Sequence, residues 1–183
     1  MAKAGIQRIA ITDTVSGRGA WRFTKSQARQ PAAIEIYREV FDGLLPGYEE
    51  MRCTSEEFTA GYDSQLGIDV ILNFESGMTS TLQEKFLFTK FKTVTVEYMQ
   101  DWRQEIPGDW FNLRAQYYFV GYDRINANTF QDWIILNWPV AQQLTTEGLI
   151  PWQLLYNKFD GARANAKFAK FDDFPARCVL ARS

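Results

Sequence analysis

In "PAAIEIYREVFDGLL" (residues 31–45) Ala33, Ile36, Tyr37, Val40, Phe41 and Leu44 recur at helical spacing behind a proline suited to a first turn, which predicts an amphipathic helix. Glu35 and Glu39 fall on its opposite face and read as solvated. Beyond it the period drops to two. "GIDVILNF" (67–74), a turn at Ser76 and Gly77, "STLQEKFLF" (80–88), a short basic turn with Lys90 and Lys92, and "TVTVEYM" (93–99) predict three strands in an antiparallel meander. "PGDWFNLRAQ" predicts one or two helical turns, and "YYFVGYD" with "FQDWIILNW" a hairpin around "RINANT". "PVAQQLTTEG" predicts a helix that opens at Pro139 and stops at Gly148. Near the C-terminus "KFAKFDDF" intersperses Lys and Asp with Phe and reads as an irregular edge strand or a loop.

This order predicts an α/β or α+β architecture with helices packed on a mixed sheet. A chain of 183 residues, 46% hydrophobic and without repeats or a Pro/Gly/Ser-rich linker, suits one domain. Within it residues 1–30 form a basic N-terminal arm, 31–140 the core and 141–183 a C-terminal extension. Fourteen Phe, eight Tyr and six Trp need a large core, a partner surface or stacked ligands to cover them. Tyr117, Tyr118, Phe119, Tyr122, Trp133 and Trp138 sit at strand spacing and read mostly as core, with a few able to flank a groove and stack on unpaired bases.

Several classes of chemistry drop out. Cys53 and Cys178 are too few for a disulfide scaffold or thiolate cage, and no charged-then-apolar leader is seen, so a reduced, cytoplasmic protein is expected. The longest apolar runs fall far short of the roughly 20 residues of a membrane helix, so the expectation is a soluble chain with no membrane partner. Histidine is absent, which removes His triads, His-rich zinc sites and His general bases. A metal would be held by oxygen, pointing to Mg²⁺ or Mn²⁺. No Walker loop or Rossmann fingerprint is present, so no nucleotide cofactor is expected. The net charge of -2 is uneven: both ends are basic and the middle is acidic. Such flanks suit a protein that grips phosphate at its rims and holds a cation at its centre, or are solvated faces. Arg18, Arg22, Lys25, Arg29, Lys90 and Lys92 are the phosphate-contact candidates.

One constellation stands out. Alternation puts Gln83, Lys85 and Leu87 on one face of the second strand and Glu84, Phe86 and Phe88 on the other. Asp69, 14 residues before Gln83, lies on the neighbouring strand, where an acid, an amide oxygen and a lysine can meet. Structural roles are open to each as well: Asp69 as a turn cap, Lys85 as a paired surface cation, Glu97 as a solvated strand residue.

A helix, a "GID" strand and a second strand carrying an acid or amide, any residue, then Lys resembles the PD-(D/E)XK nuclease superfamily, which includes many restriction enzymes and Holliday-junction resolvases. The resemblance covers about residues 31–140. It implies a restriction-endonuclease-like fold, a central mixed β-sheet flanked by helices with an αβββαβ core, and metal-dependent hydrolysis of phosphodiesters in DNA. Asp69 would then be the main metal ligand, Gln83 a carbonyl ligand, and Lys85 would steer the attacking water or stabilise the transition state. Glu97 adds a second carboxylate and Asp63 a weaker one. The sequence departs from the pattern at Gln83, where most members carry Asp or Glu, although some branches use an amide there. An amide oxygen brings no charge, which lowers the expected metal affinity, and Glu84 compensates only if a bulge turns it inward. The expectation is a homodimeric endonuclease acting on branched or flexible DNA. The alternatives are a nuclease fold that binds DNA without cutting, or a protein-interaction protein.

Overall fold

The helical stripe becomes α1 (Gln30–Asp42), with Pro31 in its first turn. Ala33, Tyr37 and Phe41, at four-residue steps, are buried, whereas Glu35 and Glu39 face solvent; Leu44 falls past the helix end and is exposed. The computed structural model describes residues 28–44, 48–52, 66–87, 91–123, 129–156 and 164–183. The other elements are β1 (Tyr48–Arg52), β2 (Val70–Phe74), β3 (Thr79–Leu87), β4 (Thr93–Asp101), β5 (Ile106–Pro107) and the single turn α2 (Asp109–Asn112). After them come β6 (Tyr117–Asp123), β7 (Phe130–Asn137), α3 (Trp138–Thr146), β8 (Gln153–Tyr156), β9 (Asn165–Lys170) and β10 (Val179–Arg182).

The strands form two sheets, one of six in the order β1-β2-β3-β6-β7-β10 and one of four in the order β5-β4-β9-β8. All pairs are antiparallel except β3 with β6, so the larger sheet is mixed. The fold is therefore mixed α/β with few helices, and its core is mostly β.

Alternation along the central strands divides the core into two layers. Phe119 and Ile135 join Val70, Leu72 and Leu82 beneath Ala33, Tyr37 and Phe41 of α1. Tyr118, Val120, Tyr122, Ile134 and Leu136 point the other way, onto Val94, Val96 and Ala169 of the second sheet and Trp138, Ala141 and Leu144 of α3. Phe119 centres the first layer, with the rings of Tyr37 and Phe130 each 5.3 Å away in edge-on contact. Burial of this many large apolar side chains, about 1.5–3 kcal/mol each, is what holds the three layers together.

The predicted meander of three strands is overturned. β2 and β3 make the expected hairpin, but β4 leaves for the second sheet and β6 takes the free side of β3. The reason lies in burial: Tyr118 to Tyr122 are five consecutive buried residues, so β6 needs cover on both faces and takes a central place. β4 buries Val94 and Val96 on one side only, as a strand of a one-sided layer does. "YYFVGYD" and "FQDWIILN" form the predicted hairpin. α3 starts as read, with Asn137 Oδ1 accepting the Val140 N–H at 3.3 Å and Gly148 taking φ 73° beyond its end. β1 was not anticipated. The C-terminal segment supplies two strands to the smaller sheet and one to the larger, and its "NAKFAK" run is an interior strand of the smaller one, between β4 and β8. Among the described residues no helix is long and apolar enough to cross a membrane.

Candidate functional site

The approach to β2 is set by Gly67, whose φ of 59° lies where side-chain-bearing residues are disfavoured. A Cβ there would meet Leu113 Cδ1 at 2.9 Å and Gln83 Oε1 at 3.3 Å. Two residues on, the Asp69 N–H donates to the Leu82 carbonyl at 3.0 Å, and Asp69 Oδ2 accepts the Glu84 N–H at 2.7 Å. The carboxylate thus takes the place of a main-chain acceptor where the β2–β3 ladder ends. Continuing the register from Val70 opposite Leu82 sets Asp69 opposite Gln83, as the sequence placed them. On its other side Gln83 is paired with Tyr118 of β6.

β3 keeps the alternation read from its sequence. Gln83 and Leu87 face the second sheet, whereas Phe86 packs under α1 and Glu84 accepts a hydrogen bond from Tyr37 Oη at 2.8 Å. The β3–β6 register runs without a shift from Leu82 to Leu87, so no bulge turns Glu84 to the face of Gln83. Lys85, two residues from Gln83, shares that face and lies opposite Val120. Gln83 Nε2 donates to the Glu84 carbonyl at 3.3 Å, while its Oε1 is buried without a hydrogen-bond partner among the described residues. An orphan acceptor of this kind costs about 1–3 kcal/mol and asks for an explanation.

Glu97 arrives from β4 of the second sheet rather than from a third strand of the hairpin sheet. Its carboxyl is pushed above the ordinary 4.5, chiefly by burial and then by the charge of Asp109, with Lys85 pulling the other way. Lys85 and Asp109 therefore both act on Glu97. The segment from Gly108 to Arg114 holds this corner. The Gly108 N–H donates to the Tyr98 carbonyl at 3.0 Å, and a Cβ on Gly108 would lie 2.7 Å from Glu97 O and 2.8 Å from its Cγ. At the other end Leu113 abuts Gly67, and the Arg114 N–H donates to the Leu66 carbonyl at 2.8 Å. One short strap thus ties the Asp69 end of the large sheet to the Glu97 end of the small one. Tyr118 lies between them. Its hydroxyl donates to the Thr95 carbonyl at 2.9 Å and is held well above the usual phenol range by burial first, then by Asp109 and Asp69.

Asp109 is the residue sequence reasoning passed over, because an acid at the start of a helical turn reads as an ordinary cap. Asp63, Arg18, Arg22, Lys25 and Lys90 lie outside the described residues. Arg29 is turned inward: its Nε donates to Asp123 Oδ1 at 2.8 Å and its Nη2 to the second oxygen, and the residue is 8% exposed. It ties the start of α1 to the end of β6, in place of the exposed phosphate contact that a count of basic residues led to. Lys92 is exposed and pairs with Asp132 at 2.6 Å.

Asp69 and Gln83 offer adjacent oxygen donors from two strands, and Glu97 offers a half-buried carboxyl from the other sheet. Among the described residues no three or more His, Cys, Asp or Glu side chains come close enough to hold a metal. Hard, oxygen-only donors of this kind fit Mg²⁺ or Mn²⁺ and not softer metals, and the unsatisfied Gln83 Oε1 is consistent with a cation as its missing partner. Comparison of the chain with protein families, with curated proteins and with solved structures finds no match.

Proposed function

We propose that the chain is a metal-dependent nuclease that hydrolyses phosphodiester bonds in DNA at the face shared by Asp69, Gln83 and Lys85. The observation that carries this reading is the cross-strand placement of Asp69 opposite Gln83, whose buried Oε1 has no hydrogen-bond partner among the described residues, with Lys85 two residues away. The order α1, β1, β2, β3, a crossover containing α2, and β6 parallel to β3 also supports this reading, with β1 to β3 rather than the β2–β4 run read from the sequence as the three strands before the crossover. The crossover differs in carrying β4 and β5 of a second sheet.

Bound between Asp69 and Gln83, Mg²⁺ or Mn²⁺ would supply charge to offset that on the phosphate and acidify a water. This chain's own groups do the rest. Lys85 places a cation on the face where charge builds on the phosphoryl oxygens, and Glu97, held protonated to a higher pH than an exposed carboxyl, is the group suited to give or take a proton beside it. Tyr118 braces β6 against β4 through Thr95 and so fixes the spacing between Gln83 and Glu97.

A second reading has its own support. The described residues gather no cluster of three acids, and a ligand position held by an amide would weaken cation binding, as in a nuclease-like protein that binds DNA without cutting. Cleavage of labelled duplex, single-stranded, flap and four-way-junction DNA with Mg²⁺ or Mn²⁺ separates the two. Cutting by the wild type that is lost in Asp69→Asn and Lys85→Ala supports the nuclease; DNA binding without cutting supports the second reading. A homodimer, which would let two such sites cut two strands, is tested by sedimentation of the same samples.

A further inference from the structure

The β4–β5 hairpin and α2 carry an unusual surface. Trp102 is 47% exposed and Phe111 44%, although large aromatic side chains are ordinarily covered. The Phe111 ring lies 5.2 Å from that of Tyr98, and Ile106 is exposed on the same unit. Two cations lie over aromatic faces of this unit, one at the exposed Trp102 and one at the half-buried Tyr98 and Trp110. Arg103 Cζ lies 5.3 Å from the Trp102 ring, and Lys167 Nζ lies 4.6 Å from Tyr98 and 4.1 Å from Trp110.

The tip is built to hold its shape. Asp101 is 5% exposed, and its Oδ1 accepts the N–H groups of Arg103 at 2.9 Å and Gln104 at 3.3 Å. Glu105 takes φ 56°, the one positive φ among the described non-glycine residues. A strained backbone fixed by a buried carboxylate keeps Trp102 in solvent, where it gains nothing from the core. Both ends of the unit adjoin the candidate site: Tyr98 follows Glu97, and Phe111 shares a four-residue turn with Asp109.

We propose that this hairpin is a stacking shelf for unpaired nucleotides, so that the substrate of the adjacent site carries a single-stranded stretch. The second half of that statement rests on the nuclease reading; the first does not. Bases stack on aromatic faces whatever their sequence, and cations beside the rings meet the backbone phosphates that each stacked base brings along. A protein partner fits less well, since a stable protein interface uses about 20–30 residues a side and this patch offers a handful.

The test measures binding in EDTA, where cutting is silent, of a labelled oligothymidine of about 15 nucleotides and of a blunt duplex. Wild type, Trp102→Ala, Phe111→Ala and Trp102→Phe are compared by anisotropy, with quenching of tryptophan fluorescence as a second signal. Both alanine variants remove exposed side chains and so leave the fold in place. The expected result is a roughly tenfold loss of oligothymidine affinity in each alanine variant, an unchanged duplex affinity, and retention in Trp102→Phe. Equal affinity of wild type and Trp102→Ala for oligothymidine overturns the shelf, as does parallel loss on duplex or no oligothymidine binding by wild type. The two readings fail separately. Trp102-dependent binding with no metal-dependent cutting leaves the shelf without the nuclease, and cutting with Trp102-independent binding leaves the nuclease without the shelf.

Discussion

The Asp69 carboxylate accepts the main-chain N–H of Glu84 at 2.7 Å, so the same side chain that faces Gln83 also finishes the β2–β3 ladder. The proposed metal ligand is therefore also a structural residue, and substitutions must be chosen to part the two roles. Asp69→Ala leaves that amide without its acceptor and should cost about 1–3 kcal/mol of stability. Asp69→Asn keeps an oxygen there and should melt within a few degrees of wild type, yet lose metal-dependent cutting because the charge is gone. Thermal melts and cleavage of the same preparations check the pair.

Gly108 is the point where the strap touches Glu97. With Cβ contacts of 2.7 and 2.8 Å to Glu97, Gly108→Ala must move either the strand or the strap. The expected cost is about 1–3 kcal/mol, or a fall of roughly 2–12 °C in melting temperature for a chain of this size. Activity should fall further than stability explains, since the residue displaced is Glu97. Assays well below the melting temperature of the variant separate the two effects.

Legibility in the sequence followed the range of the forces involved. The α1 stripe, the β2–β3 hairpin, the β6–β7 hairpin and α3 were readable because period, turn residues and caps are local. The faces of β3 were readable for the same reason, and with them the separation of Glu84 from Gln83 and Lys85. Partner choice was not. That β6 rather than β4 takes the second side of β3 depends on which strand needs cover on both faces, a property of the assembled core. Asp109 and the inward turn of Arg29 escaped for a related reason: a helix-start acid and a terminal basic residue look the same in sequence whether solvated or committed to a partner.

Glu84 belongs to the α1 side of the sheet, where Tyr37 Oη donates to it at 2.8 Å. Glu84→Gln keeps an acceptor for that hydroxyl and should leave cutting unchanged. Tyr37→Phe should lower stability by about 1.5–3 kcal/mol, the scale of a hydrogen bond to a charged group, again without touching activity at low temperature. Loss of cutting in Glu84→Gln would place this carboxylate in the site and overturn the reading of the two faces.

Arg29 and Asp123 form a pair whose side chains are each 10% exposed. Removing one partner strands the other's charge, so Arg29→Ala should cost about 3 kcal/mol or more. A double replacement by apolar residues of similar size should recover much of it. DNA affinity at low temperature should be unaffected, in contrast to variants of true phosphate contacts, whose affinity falls and whose salt dependence flattens. A flattened salt dependence in Arg29→Ala would show that the guanidinium reaches DNA.

Glu97 contributes a pH dependence to stability. Burial, and then Asp109, raise its carboxyl above the unfolded value of 4.5, so the folded chain holds this proton more tightly than the unfolded one. The group therefore costs nothing below the unfolded value, and stability falls as pH climbs from there through the raised folded value, remaining lower at neutral pH. Glu97→Gln removes the titration: it should match wild type near pH 4 and melt higher above the raised value. Because the carboxyl is half in solvent, screening keeps the gain below about 1 kcal/mol, or roughly 2–4 °C. Lys85 works against the rise, so Lys85→Ala should lift the Glu97 value further and extend the loss of stability to higher pH, and the double variant with Glu97→Gln should abolish that extension. Melting temperatures across the pH range for the four proteins give the result directly. A Lys85→Ala curve parallel to wild type would mean that Lys85 does not act on Glu97, and the two sheets would then not share one site.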